Sequence, residues 1–202
     1  MAKYVCYAHA KDFTMKILFI DTTTPDLVVA VVEDNRITDV TAKAVGVHHS
    51  ELLCDKVSEA LTKAHTTFSE LDAYACAIGP GSFTGIRIGV STVKGYCTAV
   101  KLPYVGVNCL DAISYSLNCG SRGSAVIDAG NGYYYADCKN GVTPTLISYD
   151  DERANMAGRA DSAVDYFDGA VEIIRKRYRE GNFDTELKPL YIRRSQAEEN
   201  RK

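Results

Sequence analysis

The chain has 202 residues, 46% of them hydrophobic and 24% charged, with a formal charge of −3, enough apolar material to bury a sizeable core in one large or two small domains. No run of about 18 or more apolar residues occurs, which argues against a membrane-spanning helix, and the opening MAKYVCYAHAKDFT lacks the apolar stretch and small-residue cleavage site of a secretory signal, so a cytoplasmic location is expected. The charge is uneven: 14 Lys and Arg stand against 20 Asp and Glu through residue 170, and 9 against 6 in residues 171–202, an acidic body that argues against tight nucleic-acid binding by the chain alone.

The seven cysteines, Cys6, Cys54, Cys76, Cys97, Cys109, Cys119 and Cys138, are odd in number and form no C-x-x-C pair. They read as small buried hydrophobes in a reducing compartment, not as a disulfide frame or zinc site. The basic run IIRKRYRE near the C-terminus reads as a solvated helix face with local ion pairs.

Regular structure is expected from Met15 onward. KILFID (16–21) and LVVAVVED (27–34) are strand-like runs around the turn TTTPD (22–26), and ITDVTAKA (37–44) follows Asn35-Arg36, which together predict an antiparallel meander. Leu52, Leu53, Val57, Ala60, Leu61 and Ala64 then recur at helical spacing, with Ser50 placed to cap the helix and Glu51 in its first turn. AYACAI (73–78) predicts a buried strand, Thr84 to Val100 a helix, Pro103 to Val107 a strand and Leu110 to Leu117 a helix. The second half repeats the theme with SAVID (124–128), YYYADC (133–138) and TLISY (145–149), the last two separated by the hairpin signal Asn140-Gly141. A charged stretch from Asp150 to Glu180 is expected to be helical in pieces, and Leu187 to Arg193 closes the chain. Two strand-first halves predict an α/β protein with mixed sheets and an internal duplication whose second copy is shorter.

Two turns bear on chemistry. A strand ending in Asp21 and followed by Thr22 and Thr23 has the form of a phosphate hairpin as found in actin-like and sugar-kinase-like ATPases, although Asp-Thr-Thr is also a good generic turn. The stretch Gly79-Pro80-Gly81-Ser82-Phe83-Thr84-Gly85, with Arg87 two residues on, matches neither the dinucleotide nor the P-loop glycine pattern, and Pro80 removes an N–H from any anion nest there. It suits a sharp strand-to-helix turn capped by Ser82 or Thr84. The helix glycines Gly85, Gly89 and Gly95 are expected to admit close approach of another backbone, read here as another subunit.

GPGSFTGIRIG, together with IDTTT, HHSELL, VKG, PYVGVNCLDA, Asp128-Ala129 and PLYIR, closely resembles the TsaB (YeaZ) family over Met15 to about Arg193, leaving residues 1–14 as an extension outside the match. The resemblance implies an actin-like ATPase (ASKHA, ribonuclease H-like) fold of duplicated lobes, residues 15–108 and a shorter 109–202. It implies a non-catalytic scaffold in the bacterial machinery making threonylcarbamoyladenosine in tRNA, pairing with the TsaD catalytic subunit, recruiting the TsaE ATPase, meeting tRNA only through the complex, and forming a homodimer when alone. ATP or ADP and metal would be held by partner subunits, none by this chain alone. TsaD relatives carry two metal-holding histidines in an H-x-E-G-H element where this chain has V-N-C-L-D-A-I, which puts Cys109 and Ile113 in their places, a set that cannot hold a metal. Asp21, Thr22 and Thr23 would then be a vestigial hairpin. The family's two-helix face predicts an interface of Leu53, Val57, Leu61, Gly89, Val93 and Tyr96.

An enzyme of the glycoprotease, metallopeptidase-like class, or an ATP-binding enzyme, is the competing expectation. It lacks support from His9, His48, His49 and His65, which form no H-E-x-x-H pattern.

Overall fold

The computed structural model describes residues 15–43, 48–117, 123–139 and 141–192. The proposed extension 1–14, Cys6, His9, Cys119, Asn140 and Arg193 lie outside the described residues.

Strands β1 (Lys16–Asp21), β2 (Leu27–Glu33) and β3 (Ile37–Ala42) form the expected meander, and β4 (Ala73–Gly79) and β5 (Tyr104–Asn108) extend it in parallel to give the order β3-β2-β1-β4-β5. Nearly every residue of β1, β2 and β4 is buried, because helices cover both faces of the sheet; this is why these strands read as continuous apolar runs and not as alternations. On one face, α1 (His49–Lys63) and α2 (Phe83–Val100) pack on Leu18, Ile20, Val29 and Val31. On the other, α3 (Cys109–Leu117) and α5 (Phe167–Arg179) pack on Ile17, Phe19, Ala30 and Val32.

A smaller sheet carries β6 (Ser124–Asp128), β7 (Tyr133–Asp137), β8 (Thr145–Ile147) and the two-residue β9 (Gly158–Arg159) in the order β8-β7-β6-β9, with the single-turn helix α4 (Glu152–Asn155) before β9. Its pairing, antiparallel twice and then parallel, repeats the first four positions of the larger sheet. The expected duplication is therefore present, with one strand fewer. The core that α3 and α5 share with the large sheet continues into the small one through Ala125, Ala136 and Cys138.

The start of α1 differs from expectation. Ser50 lies inside the helix, and the N-cap is His48, with no side-chain cap bond. The neighbouring His49 is buried with Nε2 3.2 Å from the Asp26 carbonyl oxygen, so the helix is tethered to the β1–β2 turn by its first residue and needs no serine cap. At the other end of the chain, residues 184–191 run as a strap from the outer edge of β5 to the end of β4. Asp184 N–H donates to the Tyr104 carbonyl at 3.1 Å and Leu190 N–H to the Ile78 carbonyl at 2.8 Å. Asp184 Oδ2 accepts from Gly106 N–H at 2.6 Å, Arg177 bonds both Asp184 and the Gly106 carbonyl, and Leu187 is buried.

Candidate functional site

The β1–β2 turn and the glycine-rich β4–α2 turn meet, and each is built to admit the other. Ser82 N–H donates to the Thr23 carbonyl at 2.7 Å, Thr22 Oγ1 donates to the Gly85 carbonyl at 2.7 Å, and Ser82 Oγ caps α2 by accepting from Gly85 N–H at 3.2 Å. A Cβ on Gly85 would overlap the Thr22 carbonyl oxygen; one on Gly81 would lie 2.5 Å from the Thr23 carbonyl oxygen, and one on Gly89 2.7 Å from Thr22 Oγ1. The backbone that approaches these glycines is therefore the chain's own threonine turn, which corrects the expectation that they serve another subunit. Gly95 differs from them: no atom outside its own helix backbone and chain neighbours lies within 4 Å of a Cβ built there.

Gly79 takes φ of +107°, open to glycine, and Pro80 behind it is buried. Phe83 is half-buried and stacks on Tyr191 with centroids 4.7 Å apart; the exposed Arg87 lies over the Phe83 ring at 4.1 Å and donates from Nε to Tyr191 Oη at 2.9 Å. Thr84 is exposed and caps nothing; that role falls to Ser82. The glycine-rich run thus fastens β1, α2 and the C-terminal strap at one point.

Asp21 lies at the centre of the junction with 1% of its surface exposed. Its Oδ1 accepts from Thr23 N–H at 2.8 Å and Thr23 Oγ1 at 2.7 Å, and its Oδ2 accepts from the Tyr166 hydroxyl at 2.8 Å. Thr23 Oγ1 also lies 3.0 Å from Tyr166 Oη and 3.5 Å from Cys109 Sγ. Burial raises the Asp21 pKa, with the bonds from Thr23 and Tyr166 opposing it. Burial likewise pushes the Tyr166 phenol far up and, with the nearby Asp21 charge, the Cys109 thiol up to about 12. Above this cluster is a cavity of about 260 Å³ whose walls include Thr23, Thr24, Gly81 and Ser82 on one side and Ile127, Asp128 and Asp161 on the other. Sequence reading missed Tyr166: it falls in a charged stretch with no local motif, and only the packing of α5 brings it to Asp21.

A carboxyl whose folded pKa is raised binds its proton more tightly folded than unfolded, so its contribution to stability falls as pH climbs from the ordinary carboxylate value, 3.8, through the raised one. Asp21→Asn, whose amide keeps the shape and carries no charge, is expected to flatten that slope; urea titrations at several pH values between 4 and 8 check it, and an unchanged slope would refute it.

The metal of the TsaD relatives does not fit here. Cys109 and Ile113, one turn apart on α3, are both fully buried in the core; a thiol held protonated to about pH 12 and an aliphatic side chain supply no ligand pair. The expected interface residues are also placed otherwise. Leu53, Val57, Leu61 and Val93 are 0–5% exposed and pack on the large sheet, and Gly89 backs onto Thr22. The family resemblance implies a two-helix face, and helical spacing cannot tell a sheet-facing edge from a partner-facing one. Tyr96 is half-buried, beside Phe68 and Tyr74 at centroid distances of 5.1 and 5.7 Å.

A five-stranded mixed sheet repeated in shortened form, joined through an Asp-led turn under a cleft, is the actin-like (ASKHA) architecture. The family model for TsaD, tRNA N6-adenosine threonylcarbamoyltransferase, matches residues 35–194. The tRNA threonylcarbamoyladenosine biosynthesis protein TsaB of Escherichia coli (strain K12) is 33% identical over 124 residues, 60% of this chain and 53% of that protein. Among solved structures, one of an uncharacterized protein with similarity to peptidase YEAZ from Pseudomonas aeruginosa has a TM-score of 0.69 at 21% identity, covering 89% of this chain and 100% of that one. YeaZ from Pseudomonas aeruginosa has a TM-score of 0.67 at 20% identity, covering 88% and 99%. The chain belongs to this TsaD-related family, in its TsaB (YeaZ) branch. It spans about half the length of the curated TsaB relative that it matches. No helix among the described residues is long and apolar enough to cross a membrane.

Proposed function

We propose that this chain is a non-catalytic partner subunit of the assembly that makes threonylcarbamoyladenosine in tRNA. In this reading it pairs with a TsaD-like catalytic subunit, helps to recruit a TsaE-like ATPase, meets tRNA only within the complex and self-associates when the partner is absent. The observation that carries the reading is the pair Cys109 and Ile113 on α3: a member of a metal-dependent family whose two ligand positions hold a protonated thiol and an aliphatic group leaves metal chemistry to another subunit. The internal use of both Asp21 oxygens agrees, since three of the carboxylate's roughly four acceptor positions are taken within the chain. ATP or ADP and metal then belong to the partners.

The docking surface in this reading is the outward side of α1 and α2, not their buried stripes. Gly95 is open there, and the half-buried Tyr96 next to it packs against Phe68, which is 37% exposed. A side chain at Gly95 meets no neighbour within the chain, so Gly95→Arg is expected to leave the fold intact and weaken binding to the TsaD-like subunit at least about tenfold, the cost of a bulky charge in a packed interface core. Co-purification with the cell's own TsaD-like subunit, and reconstitution of tRNA modification with and without this chain, tests the whole reading. Peptidase activity, ATP hydrolysis or stoichiometric zinc or iron in the isolated chain would overturn it in favour of an enzyme.

A further inference from the structure

The connection between the small sheet and α5, residues 160–166, is tied to the end of β1 and the β1–β2 turn through three of its residues. Tyr166 donates to Asp21 Oδ2 at 2.8 Å, Ser162 Oγ donates to Asp26 Oδ2 at 2.6 Å, and Ala163 N–H donates to Thr24 Oγ1 at 3.2 Å. The connection is itself preformed, because Asp165 Oδ2 accepts from the N–H groups of Asp161 and Ser162 at 3.2 and 3.1 Å. It also contributes Ala160, Asp161 and Tyr166 to the wall of the 260 Å³ cavity between the two sheets.

From this geometry we infer that residues 161–166 are a latch that holds the cleft between the sheets closed over the β1–β2 turn, with the Tyr166 hydroxyl as its bolt. Ser162 is partly exposed and Asp161 and Val164 are exposed, whereas Ala163 is buried, so water competes for the Ser162 tie and opening there is inexpensive. The inner tie differs, because withdrawing Tyr166 strands a buried carboxyl oxygen, and such a group costs far more unpaired than its hydrogen bond contributes when made. The closed arrangement therefore persists until another donor in the cavity, water or a bound molecule, takes over Oδ2. The inference concerns the internal state of the chain and stands independently of the assembly it joins.

Hydrogen exchange on the full chain tests it with three variants: Ser162→Ala, which removes an outer tie and leaves the buried cluster whole, Tyr166→Phe, which removes only the bolt, and the double variant. Peptides covering 158–167 and 20–27 are expected to accelerate together by about tenfold in Tyr166→Phe and less in Ser162→Ala. Those from β4 and α2 should keep their protection, and the double variant should exchange no faster than Tyr166→Phe alone. Unchanged exchange in 158–167, additive effects of the two substitutions, or equal acceleration throughout the chain would each overturn the latch, the last by showing ordinary loss of global stability.

Discussion

Gly85→Ala is expected to destabilise the chain by about 3 kcal/mol or more, near or beyond the upper end of what overpacking a well-filled site costs. The added methyl would overlap the Thr22 carbonyl oxygen, and that oxygen cannot yield by a rotamer change because it belongs to backbone. The turn around it is held by Ser82 N–H on Thr23, Thr22 on Gly85, and Thr23 on Asp21. Moving it far enough to clear a methyl breaks at least one of these bonds. Ten residues along the same helix the identical substitution has the opposite sign: Gly95→Ala meets nothing and is expected to stabilise by up to about 1 kcal/mol through helix propensity. Urea denaturation of the two variants decides the matter, and a Gly85→Ala protein as stable as the parent would mean that the two turns do not meet as described.

Val93→Asp is expected to unfold the chain or nearly so. Val93 is fully buried between α2 and the large sheet, and a carboxylate there has no cation to pair with in an aliphatic cluster. An uncompensated buried charge costs on the order of 3–5 kcal/mol, a large part of the roughly 5–15 kcal/mol that holds a domain together. Loss of the far-ultraviolet circular-dichroism signal is the expected reading. A folded monomer that merely fails to bind its partner would show that Val93 faces outward, the arrangement the family resemblance implied.

The two substitutions mark where sequence reading reached and where it stopped. Burial on both faces was legible in KILFID and AYACAI, because a helix-covered strand has no polar alternation to keep. The Ser82 cap and the duplication were legible too, since each shows in residues close together in the chain. Which side of α1 and α2 met the sheet was not, because the stripe Leu53, Val57, Leu61 has the same period whether it faces a sheet or a partner. Nor was the meaning of the helix glycines: their spacing announced a close approach, and only the fold shows that Thr22 and Thr23 are what approaches. Tyr166 lies 145 residues from Asp21 in the chain and carries no motif, so the Asp21 site could be read from sequence only on its N-terminal side.

The strap at the edge of β5 has a consequence for how the molecule can grow. A sheet offers new strands its lateral edges, and an edge with free N–H and C=O groups recruits extended chain from any source. On the β5 side the chain meets Tyr104 and Gly106 with its own Asp184 and Arg177, so that rim is capped from within and sideways polymerisation through it is blocked. Strand addition to the large sheet is thereby left to its other lateral edge, β3.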